Sequence, residues 1–237
     1  MDDRETLPPL KKPPLPGLLK HDAQLLTSLP TDTLLIGVDE VGRGSLIGAV
    51  VAAAALLPCP LTTTHKKALM WLNDSKQLTA VIRKELCETL QEIALTAVGQ
   101  AEKEEVDRLN VHHASLLAAY RAYQGVVKQL PVDQQANAFL LLDGRSGIPD
   151  ISAQRQQAII KGDGKSAAIA AASVVAKHTR DSWVAQLAQE YPGYAWERNM
   201  GYPSPQHKAA IAELGLTPHH RVRYKSVQAA QLNFQLS

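Results

Sequence analysis

Segment 34–57 constrains the fold more than any other part of the chain. It reads LLIGVDEVGRGSLIGAVVAAAALL, a dense apolar run interrupted by two adjacent acids and a Gly-Arg-Gly tripeptide. Apolar runs of this density are typical of strands that are buried on both faces. We therefore predict a strand over 34–38, a tight turn, and a second strand over 46–57. Asp39 and Glu40 then lie where the first strand leaves the core, and a buried carboxylate without a partner is costly.

The composition bounds the class of protein. With 237 residues, of which 45% are hydrophobic, the chain is long enough for one domain with a sizeable core. The formal net charge of +2 permits nucleic-acid binding but does not itself indicate it. Cys59 and Cys87 form neither a metal-binding pattern nor a disulfide framework. The N terminus lacks the apolar stretch of a signal peptide, and the apolar run that ends at Pro58 is too short to span a bilayer. We therefore expect a soluble, cytoplasmic protein.

The chain divides into one compact region and two flanking segments. Residues 1–32 contain the proline-rich stretch LPPLKKPPLPG and are expected to form a flexible extension, with a short helix over 21–29. A linker or loose arm is favoured there over a ligand for SH3-type domains. Residues 33–226 are expected to form the compact domain, and residues 227–237 a C-terminal tail.

Strands and helices alternate through the rest of the compact domain. Thr79 is a plausible N-cap for an amphipathic helix over 80–95. Further helices are predicted over 104–109, 112–130 and 166–189, and further strands over 96–101, 138–142 and 157–160. A hairpin followed by alternating strands and helices indicates an α/β fold, with a mixed β-sheet flanked by helices and a helical C-terminal part.

Acids follow the apolar, strand-like segments at three places. Asp39 with Glu40, Asp143 and Asp163 each stand close to a glycine at such a strand end. If these strands are neighbours, their carboxylates meet at one edge of the sheet and repel one another unless a cation lies between them. Mg²⁺ or Mn²⁺ would suit such oxygen ligands. The alternative is that each acid only marks a turn, and the spacing alone does not decide between these readings.

Asp39 and Glu40 cannot both point at one ion if the strand stays regular. Adjacent residues of a strand point to opposite faces of the sheet. Either the strand bends at Glu40, or Glu40 binds the ion through its main-chain carbonyl.

A series of motifs resembles the type 2 ribonucleases H, and bacterial ribonuclease HII in particular. GVDEVGRG at 37–44 resembles the family signature, and further motifs follow in the family's order over about 34–225. They are NDSKQL (73–78), LLLDG (140–144), KGD (161–163), IAAASVVAKHTRD (169–181), MGYPSPQH (200–207) and HHR (219–221). The resemblance implies a ribonuclease H-like fold. It also implies a monomeric, Mn²⁺- or Mg²⁺-dependent endonuclease with two ions bound in the substrate complex. Such an enzyme cuts the RNA strand of RNA–DNA hybrids and incises 5′ to single ribonucleotides in duplex DNA.

The resemblance also implies roles for individual residues. The catalytic and metal-binding acids would be Asp39, Glu40, Asp143 and Asp163. The nucleic-acid-binding residues would be Gly42, Arg43, Gly44, Lys76, Ser166 and Tyr202. The glycine turn, residues 42–44, would approach a ribose 2′-OH, Tyr202 would contact the sugar at the RNA–DNA junction, and Arg180 is a further candidate for phosphate contact.

Some features leave alternatives open. Ser45 stands where the family usually has proline, which removes no catalytic group. The His219, His220 and Arg221 cluster is equally consistent with a phosphate-binding patch and with a solvated turn. A binding module that has lost catalysis, or a different nuclease on the same fold, would share much of this pattern.

Overall fold

A computed structural model describes residues 14–236 and contains a five-stranded mixed sheet. The strand order is β3-β2-β1-β4-β5, where β1 is Leu34–Val41, β2 is Val50–Leu56, β3 is Leu95–Ala101, β4 is Ala138–Asp143 and β5 is Gln156–Ile159. The first three strands are antiparallel neighbours, whereas β4 pairs in parallel with both β1 and β5. The predicted mixed sheet is therefore confirmed.

Helices cover both faces of the sheet and build the C-terminal part. They are α1 (Leu15–Leu26), α2 (Thr63–Ala68), α3 (Ala80–Ile93), α4 (Lys103–Leu109), α5 (Val111–Val127), α6 (Ala167–Glu190), α7 (Trp196–Asn199), α8 (Pro205–Leu214) and α9 (Lys225–Leu236). Within residues 14–236, none of them combines the length and the apolar character needed to cross a bilayer. Thr79 caps α3 as predicted, because its hydroxyl accepts a hydrogen bond from the Ile82 amide.

Helices α5 and α6 pack on opposite faces of the sheet at short range. A Cβ atom on Gly37 of β1 would overlap the backbone of Ala168 in α6, and one on Gly99 of β3 would overlap the backbone of α5 at Ala118. The alanine-rich face of α6 allows this approach, since Ala170, Ala171 and Ala172 are fully buried. The sheet and the two helices thus form a three-layer core whose spacing depends on small residues.

The N-terminal segment is more ordered than the sequence predicts. Helix α1 begins at Leu15 and ends at Leu26, and it packs on α6 through the buried Leu15 and Leu18. The buried carboxylate of Asp22 accepts a hydrogen bond from the Ala168 amide (3.1 Å). The prediction of a flexible extension over 1–32 is therefore wrong for α1, because its leucines join the core. Residues 1–13 of the predicted extension lie outside the described part of the chain.

Two other boundaries differ from the predictions. The strand predicted over 46–57 begins only at Val50, because Leu46 and Ile47 leave the sheet and pack in the C-terminal helical cluster. The C-terminal tail predicted over 227–237 is helical over most of its length. Val227 and Ala230 of α9 are buried there against the same cluster.

Replacing Gly37 by alanine tests the close approach of β1 and α6. We expect Gly37→Ala to lower the free energy of unfolding by about 1–3 kcal/mol or more, since the added methyl group meets backbone atoms that cannot move aside. Urea unfolding followed by circular dichroism measures this loss. Gly17→Ala in α1 is the matched control, because its Cβ would meet nothing within 4 Å and alanine favours a helix. The control should be neutral or slightly stabilising; equal losses in both variants would contradict the packing described here.

Candidate metal centre and nucleic-acid interface

Three aspartates meet at one edge of the sheet. Asp39 lies near the end of β1, Asp143 ends the parallel neighbour β4, and Asp163 lies in the single helical turn Gly162–Gly164 that follows β5. Each offers one carboxylate oxygen, and these oxygens all lie within 4.8 Å of one another. The parallel pairing explains the cluster, because the carboxyl ends of parallel strands lie at the same edge.

Main-chain amides hold all three carboxylates in place. Oδ1 of Asp39 accepts a hydrogen bond from the Glu40 amide (2.8 Å), and Oδ1 of Asp163 accepts one from Gly164 (3.0 Å). Oδ1 of Asp143 accepts one from Gly162 (2.7 Å), which ties the end of β4 to the turn that carries Asp163. Main-chain hydrogen bonds therefore preorganise the three carboxylates without a ligand.

The negative charges in this cluster are poorly compensated. Burial raises the pKa of Asp39 well above its ordinary value, and the nearby charges of Glu40 and Asp143 raise it further. Burial also raises the pKa of Asp143, although the Gly162 amide opposes this. A cation does touch the cluster, since Lys76 Nζ lies 3.2 Å from Oδ2 of Asp163, but its side chain is 72% exposed. A group of hard oxygen donors with unbalanced charge fits a divalent cation such as Mg²⁺ or Mn²⁺.

Glu40 does not join this cluster. Strand β1 stays regular through Val41, so the side chains of Asp39 and Glu40 point to opposite faces. The Glu40 carboxylate pairs with Arg43 (3.2 Å) and lines a groove of about 360 Å³ that also borders Asp143 and His112. Of the two possibilities for Glu40, the bend at this residue is wrong; coordination through its main-chain carbonyl stays a prediction.

The glycine turn is shaped by two buried arginines. Gly42 has φ +89°, and a Cβ atom there would overlap Nε of Arg180. Arg221 donates hydrogen bonds to the carbonyls of Arg43 (3.0 Å), Ser45 (2.9 Å) and Gly48 (2.8 Å). Arg221 therefore holds the backbone of the turn by hydrogen bonds and Arg180 packs against it, while the Arg43 side chain stays exposed.

Ser45 closes this turn at the site where the family pattern has proline. Its hydroxyl lies 3.1 Å from the carbonyls of both Ile47 and Gly201, and it accepts a hydrogen bond from the Ile47 amide (3.2 Å). The substitution therefore replaces a ring by hydrogen bonds that also reach the segment before Tyr202.

Tyr202 lies beside the glycine turn. An atom placed at the Cβ position of Gly44 would lie 3.7 Å from Cε1 of Tyr202, at ordinary contact distance. The half-buried ring of Tyr202 also packs on Arg180, whose guanidinium carbon lies 5.5 Å from the ring centroid. The turn and the tyrosine form one surface, and we call residues 42–44 with Tyr202 the reading surface.

Other predicted contacts with phosphate do not fit the structure. Ser166 has no exposed surface and caps α6, with its hydroxyl accepting from the Ile169 amide (3.3 Å), so its predicted phosphate contact is wrong. Arg180 is fully buried too. His220 and Arg221 are neither a phosphate patch nor a solvated turn, because both are fully buried.

Sequence reasoning missed the hydroxyl groups behind Asp39. Ser173 of α6 hydrogen-bonds to Asp39, and this contact lowers the carboxyl's pKa against the stronger effect of burial. The Ser173 oxygen also lies 2.8 Å from the Ser75 hydroxyl, in the loop that carries Lys76. Both serines lie inside motifs of the resemblance, NDSKQL and IAAAS, and their place in these motifs could have indicated them as site residues.

Comparison with known proteins gives the family. A sequence model described as Ribonuclease HII matches residues 36–227. The chain belongs to the ribonuclease HII family. The ribonuclease HII of Ruegeria pomeroyi is 44% identical over 213 residues, which is 89% of this chain and 85% of that protein. Membership of the family makes the chain a hydrolase with divalent-metal-dependent ribonuclease H endonuclease activity.

Solved structures show the same fold. The ribonuclease H2 of Pyrococcus horikoshii OT3 matches with a TM-score of 0.64 and 25% identity, covering 86% of this chain and 99% of that one. The Bst ribonuclease HIII in complex with Mn²⁺ matches with a TM-score of 0.65 and 20% identity, covering 87% of this chain and 71% of that one. The ribonuclease H-like fold implied by the motifs is therefore confirmed.

The charge crowding predicts how stability responds to substitution and to metal. In EDTA at mildly alkaline pH, Asp39→Asn should melt a few degrees above the wild type, because it removes one of the mutually repelling buried charges. Mn²⁺ should raise the melting temperature of the wild type and have little effect on the variant. Thermal unfolding with and without metal measures both effects. Asp150→Asn, at an exposed position, should match the wild type in all conditions; a variant of Asp39 that melts lower in EDTA would contradict the electrostatic account.

Proposed function

We propose that this ribonuclease HII cuts the RNA strand of RNA–DNA hybrids and incises 5′ to single ribonucleotides embedded in duplex DNA. Cleavage would leave 5′-phosphate and 3′-hydroxyl ends. The observation that supports this proposal is that strand β1 joins two features: it carries Asp39 of the aspartate cluster, and the turn 42–44 of the reading surface directly follows it. The first suits phosphodiester hydrolysis, and the second suits recognition of the sugar beside the scissile bond.

The three aspartates are the residues that would hold the metal. Divalent ions in such a site supply Lewis acidity, which stabilises charge on the phosphate oxygens, and we propose two of them in the substrate complex. Either Mn²⁺ or Mg²⁺ suits the oxygen donors, and the Bst ribonuclease HIII named above binds Mn²⁺. Glu40 would contribute its main-chain carbonyl. Its carboxylate would orient Arg43, with which it is already paired.

Cationic side chains near the cluster would bind the phosphates. Lys76 is exposed and has a long, flexible side chain, so its amine would be able to bind a phosphate of the cleaved strand in place of Asp163. Arg43 is 47% exposed and extends from the glycine turn, where it can contact the same strand. Such contacts fix the register of the duplex and carry no base sequence information.

The reading surface would distinguish RNA from DNA. Residues 42–44 present main-chain groups with little side-chain obstruction, so a ribose 2′-OH can approach and form hydrogen bonds. Tyr202 would contact the sugar on the other side. We also propose a monomeric enzyme, as the resemblance implies. We propose a cytoplasmic location, in keeping with the free thiols of Cys59 and Cys87.

Cleavage of three duplexes tests the proposal. The substrates are a DNA duplex with one ribonucleotide, a long RNA–DNA hybrid and an all-DNA duplex, each with Mn²⁺, Mg²⁺ or EDTA. We expect metal-dependent incision 5′ to the ribonucleotide and along the hybrid, and no cutting of the all-DNA duplex. Asp143→Asn should abolish cleavage while the hybrid still binds, because the carboxylate serves the ion and not the duplex. Cutting of all-DNA duplexes would indicate a different nuclease, and binding without cleavage by the wild type would indicate a binding module.

Substitutions of Tyr202 test the reading surface. Tyr202→Ala should reduce kcat/KM on the single-ribonucleotide duplex by about tenfold or more, since aromatic stacking on nucleotides contributes roughly 1–3 kcal/mol. The loss on the long hybrid should be smaller, because a hybrid offers many cleavage positions. Tyr202→Phe keeps the ring and should retain most of the activity. If alanine lowers both activities equally, Tyr202 has no role at the junction.

A further inference from the structure

Two histidines are buried behind the reading surface and have no part in the mechanism above. His207 near the start of α8 and His220 before Arg221 have no exposed surface, and neither does Trp196, which contacts both rings. Nε2 of His207 lies 3.2 Å from Nε2 of His220 and 2.9 Å from Nε1 of Trp196. Nδ1 of His207 lies 3.0 Å from the carbonyl oxygen of Tyr202.

The hydrogen-bond partners fix the tautomer of each ring. A carbonyl only accepts, so Nδ1 of His207 carries the proton and donates to Tyr202. The single lone pair on Nε2 of His207 then accepts from the indole N–H of Trp196 (2.9 Å), which can only donate, and Nε2–H of His220 shares that acceptor from 3.2 Å. Nδ1 of His220 is free to accept, and it does so from the Thr217 amide (2.9 Å). The two neutral rings therefore form a chain of hydrogen bonds with one direction, from Thr217 to Tyr202.

Burial keeps this chain neutral. It lowers the pKa of His207, and it lowers the pKa of His220 to about 3 with a further contribution from His207. Protonation would disrupt the arrangement, because it removes an acceptor that the indole or the Thr217 amide needs.

The chain of hydrogen bonds connects the two halves of the reading surface. His220 pairs with Ile47 across an isolated β-bridge, and the adjacent Arg221 donates to the carbonyls of the glycine turn. His207 holds the carbonyl of Tyr202 at the other end. The intervening His207–His220 contact thus relates the position of Tyr202 to that of the turn.

The loop that carries Tyr202 needs such support. Met200 and Gly201, just before Tyr202, both have positive φ angles, of 48° and 77°, and a non-glycine residue in this region is strained. Direct hydrogen bonds from Leu46 and Ser45 reach only the Gly201 carbonyl. The Tyr202 carbonyl itself is held by the Ser204 amide (2.8 Å) and by His207.

We propose that His207, with its tautomer fixed by Trp196 and His220, is a positioning residue that sets the gap between Tyr202 and the glycine turn through its hydrogen bond to the Tyr202 carbonyl, and thereby the preference for a single ribonucleotide over a long hybrid. This inference rests on the proposed function, because it assigns the selectivity of the same site. His207 acts through Tyr202 and does not contact the substrate.

Two isosteric substitutions of His207 separate this role from simple packing. The amide nitrogen of asparagine occupies the position of Nδ1, so His207→Asn can still donate to Tyr202 while losing the contacts of Nε2. The side-chain oxygen of glutamine reaches the position of Nε2, so His207→Gln can still accept from Trp196 and His220 while losing the donor to Tyr202. Both variants lose the imidazole ring, and each leaves some hydrogen bonds unmade.

The readout is the ratio of kcat/KM on the single-ribonucleotide duplex to kcat/KM on the long hybrid. We expect His207→Gln to lower this ratio about fivefold, the scale of one lost hydrogen bond, in the direction of Tyr202→Ala. His207→Asn should keep the ratio of the wild type even if it melts at a lower temperature. Equal ratios in both variants, or a lower ratio in His207→Asn alone, would overturn the proposal.

Two further measurements keep the result interpretable. Wild type and Tyr202→Ala are assayed in parallel with the His207 variants. A wild type that cuts neither substrate refutes the proposed function. Normal wild-type cleavage with unchanged ratios in the His207 variants refutes only the positioning role. If neither His207 variant folds, the ring nitrogens of ¹⁵N-labelled wild-type protein are examined by NMR. We expect protons on Nδ1 of His207 and on Nε2 of His220; the reverse tautomer of His207 would overturn the inference, because Tyr202 would then have no donor.

Discussion

The close packing of α6 on β1 is the constraint on which the site depends. Gly37 lets the helix backbone touch the strand at Ala168, and the helix then runs past the functional edge of the sheet. Ser173 reaches Asp39, and Arg180 and Trp183 lie against Gly42 and Gly48. A shift of this one helix would move the support of the carboxylates and of the glycine turn together.

The same edge of the sheet concentrates groups that oppose one another. Buried aspartates repel one another in the carboxylate cluster, while Arg180 and Arg221 place two buried guanidinium groups beside the neighbouring turn. Burial lowers the pKa of both arginines, and neither forms a salt bridge within the described residues, although carbonyls accept from them. Holding a negative and a positive region side by side therefore lowers the stability of the folded protein. The arrangement suits a metal ion at the negative region and a polyanion at the positive one.

Sequence reasoning placed Asp39, Asp143 and Asp163 at strand ends, and the motif resemblance, not the spacing alone, favoured a metal site over turns. The alternation of side chains along β1 also predicted that Asp39 and Glu40 would diverge, which the structure bears out. The errors concern residues whose environment depends on distant parts of the chain. Ser166 is buried by the packing of α1 and α6, and Arg221 by the turn that it supports. The burial of a polar side chain is decided by tertiary contacts, which local patterns do not encode.

Ser45 has a consequence for how the glycine turn gains its order. A proline would restrict the chain before folding as well as after it, so little conformational entropy would remain to be lost at this position. The serine leaves the unfolded chain free, and its side chain adds order to the turn only once it forms hydrogen bonds with Ile47 and Gly201. Order in the turn is thus conditional on the C-terminal segment being docked. The glycine turn therefore depends on a residue more than 150 positions further along the chain.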